Sequence, residues 1–94
     1  MSYKKENEKK ILMSIIDVLE DIEENKLSLN EGEKIIFSPK TVRTLMDNGY
    51  DSKLIDIVEE GCELEDIESL IPEKLNKNII LLKNKAMEVL ELYK

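Results

Sequence analysis

Between Ile11 and Ile22 the apolar residues Ile11, Leu12, Ile15, Ile16, Val18, Leu19 and Ile22 recur at steps of three and four, and Leu75, Ile79, Leu82, Ala86, Val89 and Tyr93 repeat that spacing near the other end. A helix makes one turn in about 3.6 residues, so each set draws a single wide apolar stripe along a helix surface. A strand would instead need alternation at period two, and no run sustains it. A stripe of this kind is stable only when covered, and two of them bracketing a short chain can cover each other. The spacing predicts a first long helix from Lys5 to about Asn25, a last one running nearly to the end, and antiparallel packing between them.

Turn chemistry divides what lies between. Ser28 followed by Glu31 fits a capping box, in which each side chain satisfies an orphan amide of the other residue, and it opens a short helix from about Leu29 to Ile36. Gly32 inside it costs up to about 1 kcal/mol relative to alanine, so this helix depends on its neighbours. Ser38 then Pro39 sets a cap ahead of the one helical position that tolerates proline, and Phe37 can staple onto Val42 across it. A third helix therefore spans about Pro39 to Asn48 and stops at Gly49. Asp51 caps a fourth, which turns Leu54, Ile55, Ile57 and Val58 inward and ends at Gly61. A fifth short helix follows with Leu64, Ile67, Leu70 and Ile71 inward, and Pro72 begins the sixth. Residues 35–37, Ile-Ile-Phe, are the only rival strand, and the caps around them favour helix. The expected fold is all-α: a compact bundle of two long terminal helices bracketing about four short ones. It forms one domain over residues 1–94, with residues 1–8 as a frayed lead-in.

Ninety-four residues, 41% apolar and 37% charged, suit one modest helical core and no deep two-domain cleft. The apolar stretch of the first helix is broken by Asp17 and Glu20, too short to span a membrane, and the start lacks a cleavable signal pattern, so the chain reads as cytosolic. Fourteen basic residues against twenty-one acidic ones leave a net charge of −7, which argues against nucleic acid as a partner and for a basic one.

Chemistry is thin. The chain has no histidine, which removes the commonest general base, the commonest transition-metal ligand and every Ser-His or Cys-His nucleophile. Its single cysteine, Cys62, cannot build a zinc site or a redox pair, and its acidic neighbours would raise its pKa and blunt its thiolate. The stretch from Asp47 to Ser52 resembles the start of a calcium loop only superficially. Gly49 stands at the third ligand position, Ser52 where glycine is needed, and Val58 where the bidentate glutamate belongs. No cofactor, metal or catalytic residue is expected, and the chain reads as a non-enzyme.

Charge placement says more. Residues 51–73 hold nine carboxylates against Lys53 alone, while residues 74–94 carry a positive balance. Glu63, Glu65 and Asp66 favour the first turn of the fifth helix, where the macrodipole rewards each anion by about 0.3–1 kcal/mol. Glu59 and Glu60 lie in the last turn of the fourth, where the same field opposes them. A local rule broken without a local gain marks a candidate site, so Glu59, Glu60, Glu63, Glu65, Asp66 and Glu68 are the expected protein-binding residues. The first helix breaks the rule too, with Lys4, Lys5, Lys9 and Lys10 at its start and Asp21, Glu23 and Glu24 at its end. Antiparallel packing offers an answer there: the basic start would meet Glu88 and Glu91, and the acidic end Lys74 and Lys77.

The segments SLNEGEKIIFSPKTV and LIDIVEEGCELEDIESLIPEKL, together with the closing amphipathic helix, resemble the domain-of-unknown-function family 3969 of small bacterial proteins, over residues 11–93. The resemblance rests on Phe37-Ser38-Pro39 and on the run from Gly61 through Pro72. It implies a compact cytoplasmic protein and supplies no catalytic residues. Two functions stay open. One is a small acidic binding protein for a basic protein partner, most concretely an immunity-type inhibitor covering the cationic face of a bacterial toxin such as a nuclease. The other is a structural or regulatory helical module, self-associating as a homodimer through apolar surface left on the first helix, whose acidic face keeps it soluble.

Overall fold

A computed structural model describes residues 3–93; Met1, Ser2 and Lys94 lie outside the described residues. Among the described residues six α-helices follow one another: α1 (Tyr3–Glu23), α2 (Leu29–Ile35), α3 (Pro39–Asp47), α4 (Ser52–Cys62), α5 (Leu64–Leu70) and α6 (Leu75–Glu91), with a 3-10 turn at Pro72–Lys74 before the last. No strand occurs among the described residues. Of the lead-in residues 1–8, the first two lie outside the described residues, and the chain is helical from Tyr3.

The two long helices make the most extensive packing in the fold. They run antiparallel, since Tyr93 near the end of the chain reaches Glu8 in α1, while Lys83 in mid-α6 meets Glu23 at the other end of α1. Both apolar stripes meet there: Leu12, Ile15 and Leu19 are fully enclosed, as is Ala86, with Ile79, Leu82 and Val89 buried beside them. Fully burying a large aliphatic side chain contributes about 1.5–3 kcal/mol, so this interface supplies much of the driving force. The acidic end of α1 therefore pairs with Lys83, at 2.7 Å, and not with the expected Lys74 and Lys77. Pro72–Lys74 form a 3-10 turn and α6 proper begins only at Leu75; the end of α1 is level with the middle of α6 and not with its start, so the lysine beside Glu23 lies nearly two turns beyond Lys77.

The short helices start where side-chain caps put them. Ser28 and Glu31 form the reciprocal capping box at 3.1 and 2.9 Å, the Ser38 hydroxyl accepts from the Thr41 amide ahead of Pro39, and Asp51 accepts from the Lys53 amide. Gly61 does not end α4, which continues to Cys62. It lies inside the helix because Phe37, only 1% exposed, stacks directly on its backbone. A Cβ at this position would stand 2.1 Å from the ring. Gly32 of α2 is buried in the same manner against Val18 and Ile22 of α1, which explains why a weak helix former occupies that position.

Two expected core residues face outward. Leu70 is 79% exposed and Ile71 is 42% exposed, whereas Leu64 is buried and Ile67 half-buried. Leu70 lies six positions after Leu64 and so about 120° round the helix from it. Ile71 has already left the helix, with φ −140° and ψ 64°, because the following Pro72 disfavours the helical conformation in the residue before it. Leu92, at the carboxyl end of α6, is likewise exposed, although the neighbouring Val89 is buried.

Candidate functional site

The carboxylates expected to form a site are all exposed, yet the fold sorts them into three groups. Glu59 and Glu63 flank Cys62 at the end of α4, and Glu33 of α2 faces the same thiol. Burial first, and then the negative charges of Glu33, Glu59 and Glu63, push the Cys62 thiol above its usual range, so it stays protonated and weakly nucleophilic. Glu33 in turn hydrogen-bonds to Glu65 and lies near Glu68 on α5, where the hydrogen bond, burial and the charges of both neighbours push its carboxyl up to about 7. Two carboxyl groups side by side favour protonation of one of them, which is why the shift is upward. Glu33, Glu59, Glu63, Glu65 and Glu68 thus form one acidic surface where α2, α4 and α5 meet.

Glu60 leaves that group. Its carboxylate accepts a hydrogen bond from the Lys85 ammonium of α6, which raises the lysine pKa. The field that opposes a negative charge at the end of α4 is therefore offset by a tertiary contact, and Glu60 has a reason within the fold. Both side chains are about half exposed, and such pairs contribute about 0–1 kcal/mol. Asp66 stands apart in another sense. It is exposed in the first turn of α5, where the helix field favours its charge.

Glu33 was legible only in retrospect. With α2 starting at Leu29 and with Leu29 and Gly32 turned inward, a residue four positions after Leu29 borders the buried face. Glu8 is a second such residue. Among the described residues it is the buried charged side chain, at 5% exposure. Its Oε2 accepts from the Asp51 amide at 2.6 Å, and its Oε1 accepts from the Tyr93 hydroxyl at 3.1 Å. Extending the α1 stripe back four positions from Leu12 lands on it. Burial, the hydrogen bond to Glu8 and the charges of Glu8 and Asp51 push the Tyr93 hydroxyl up to about 12. With both carboxylate oxygens engaged, Glu8 ties the start of α1 to the α3–α4 turn and to the end of α6.

Among the described residues, no cluster of three or more cysteine or carboxylate side chains is arranged to hold a metal ion, and no helix is long and apolar enough to cross a membrane. What the surface offers is charge. Beside it, α3 and α4 border a groove of about 610 Å³ lined by Pro39, Val42, Arg43, Met46, Asp47, Glu59, Cys62 and Glu63. No curated protein and no solved structure matches the chain. The model of a protein family of unknown function, DUF3969, matches residues 2–94, the span that holds all six helices, and the chain belongs to that family.

Proposed function

We propose that this is a small acidic binding protein, without catalysis, whose partner is a basic protein. In its most concrete form it is an immunity-type inhibitor that covers the cationic face of a bacterial toxin such as a nuclease. The observation that supports this reading is the gathering of Glu33, Glu59, Glu63, Glu65 and Glu68 from three helices, close enough that Glu65 and Glu68 push the Glu33 carboxyl well above its usual range. Packing carboxylates against one another costs stability, and the Glu60–Lys85 pair shows how readily this fold neutralises a carboxylate elsewhere. A surface of concentrated negative charge steers a cationic partner into place and accelerates association, which is what an inhibitor competing with a nucleic-acid substrate needs.

The test is affinity capture from the source cell at low and high salt, followed by mass spectrometry. The triple charge reversal Glu59→Lys, Glu63→Lys and Glu65→Lys spares the Glu60–Lys85 pair. It should leave the helical circular dichroism nearly unchanged and abolish capture of cationic proteins. Capture by the unmodified protein should fall steeply with salt, since exposed charges are screened beyond about 10 Å at 0.1 M. Equal capture by the reversed variant would refute the reading.

A second reading, a self-associating structural or regulatory module, draws on the exposed apolar side chains Leu70, Ile71, Leu81 and Leu92. It predicts a dimer in sedimentation equilibrium that the substitution Leu81→Gln or Leu70→Gln dissociates.

A further inference from the structure

We infer that the α3–α4 groove receives an amphipathic basic segment of the partner, its apolar side chains seated between the two helices and its lysines or arginines on the acidic rim. This rests on the reading of the protein as an acidic binder and adds to it where the partner is gripped and by what. Pro39, Val42 and Met46 line the groove from α3, and Cys62 lines it from α4. Met46 is 59% exposed, and Val42 and Cys62 are half-buried, so an apolar strip lies open beside the core. A flexible thioether in such a position adapts to differing apolar side chains. The rim is acidic: Asp47 closes the α3 side, and Glu59 and Glu63 the α4 side. Arg43 is the base among the lining residues, so three carboxylates face one guanidinium.

Charge complementarity selects the occupant. A second copy of this chain carries net charge −7, and in its basic stretch, residues 74–94, Lys83 and Lys85 are already paired with Glu23 and Glu60, while an acidic or purely apolar segment would leave the carboxylates without partners. A segment with apolar residues on one face and lysines on the other satisfies both parts. The length is set by α3, whose lining residues run over its nine residues from Pro39 to Asp47, about 13 Å, which matches a partner helix of roughly two and a half turns placed alongside. The groove shares Glu59 and Glu63 with the acidic surface at Cys62, so a partner seated here is also held by that charge.

The test uses the full chain and three synthetic peptides of about nine residues, matched to that span. One places leucines at helical spacing on one face and lysines on the other. The second replaces its lysines by glutamate, and the third is oligolysine. The amphipathic basic peptide should shift the amide resonances of α3 and α4 and bind more tightly than either control. Met46→Gln keeps every charge and should weaken that peptide about tenfold, as loss of a central apolar contact does. Arg43→Gln should strengthen it about threefold, the scale of one rim charge. Circular dichroism verifies that both variants fold, and Met46→Ala serves as a second truncation. If oligolysine binds as well as the amphipathic peptide and neither Met46 variant matters, the groove is not the grip, and the acidic-binder reading stands on charge alone. If the peptide seats in the groove but no cationic protein is captured from cells, the groove inference holds and the wider reading fails. Absence of binding by the amphipathic peptide overturns the inference outright.

Discussion

The α1–α6 pair and the junction of α2, α4 and α5 both carry charge that simple helix electrostatics disfavours, and the fold treats them in opposite ways. At the terminal pair, the acidic end of α1 is met by Lys83, and the buried Glu8 has both oxygens hydrogen-bonded. At the junction, carboxylates meet carboxylates, and Glu33 faces Glu65 and Glu68 where a lysine would have made an ion pair. A helix-dipole violation alone is therefore a poor pointer to function, because tertiary contact often answers it, as Lys85 does for Glu60. Like charge that folding concentrates is a better one.

The largest effect expected from this contrast is removal of the chain from Ala86 onward. That deletion takes away Ala86 and Val89 from the core, half-buried Leu90, and the Tyr93 hydroxyl that engages Glu8. Each large buried side chain is worth about 1.5–3 kcal/mol against a total of about 5–15 for a small domain. The truncated protein should lose its cooperative thermal transition. A truncated chain that melted near the parent temperature would mean that the terminal pair is not what holds the fold.

Next in size is Gly61→Ala, which probes how rigidly the acidic junction is backed. The new methyl would stand 2.1 Å from the Phe37 ring, and Phe37 is enclosed with little room to move. Overpacking of a filled core costs about 1–3 kcal/mol, overriding the gain in helix propensity from replacing glycine. The urea midpoint should fall accordingly. A midpoint that rose would show that the ring yields and that the junction is soft.

Glu8→Gln comes third, and it sharpens the view of the terminal pair. The amide can accept only through its oxygen, so either the Asp51 amide or the Tyr93 hydroxyl loses its acceptor, at about 1–3 kcal/mol for a buried orphan. Tyr93 adds a pH signature. Its folded pKa of about 12 lies above the ordinary 10.0, so the folded state retains a proton that the unfolded state releases. The associated stability is complete below pH 10 and is lost as pH rises through 12. Tyr93→Phe forfeits the hydrogen bond at every pH, so its stability should fall less steeply between pH 10 and 12 than the parent's, and an unchanged slope would mean that another group is responsible.

These residues also mark where sequence reading reached and where it stopped. Both long helices, their antiparallel docking and the Ser28, Ser38 and Asp51 caps follow from periodicity and local hydrogen bonding, and the structure has them. In the sequence Gly61 reads as a helix stop because glycine's backbone freedom is visible there, whereas the Phe37 ring that excludes a Cβ is a contact between residues far apart. Spacing alone places Leu70 and Ile71 inward, but Leu70 lies about 120° round the helix from buried Leu64, and Ile71 has left α5 because Pro72 follows it. In the acidic run, composition located the charge but not its sorting. Glu60 turned toward Lys85, and Glu33 joined from α2, both through packing that no local pattern encodes.

The smallest expected effect is the most direct measure of the contrast, the pH dependence carried by Glu33. Its carboxyl is pushed up to about 7 from the ordinary 4.5, first by the hydrogen bond with Glu65, then by burial and by the charges of Glu65 and Glu68. With the folded pKa above the unfolded one, the folded state holds a proton between these two values that the unfolded state has already released. This contribution to stability is complete below pH 4.5 and disappears as pH rises through 7. Urea midpoints should therefore rise on acidification from pH 7.5 to 5.5, opposite to the usual behaviour of ion-paired carboxylates. Glu31, whose carboxyl is held low by the Ser28 backbone amide, contributes in that usual sense but only below 4.5, outside the window. Glu33→Gln replaces the titrating carboxyl by an amide that can donate to Glu65 at every pH, so the slope between 5.5 and 7.5 should flatten and the variant should be the more stable at pH 7.5. Identical slopes in the two proteins would place Glu33 and Glu65 apart in solution. The junction would then be an ordinary solvated surface, with no concentrated charge left to distinguish it from the terminal pair.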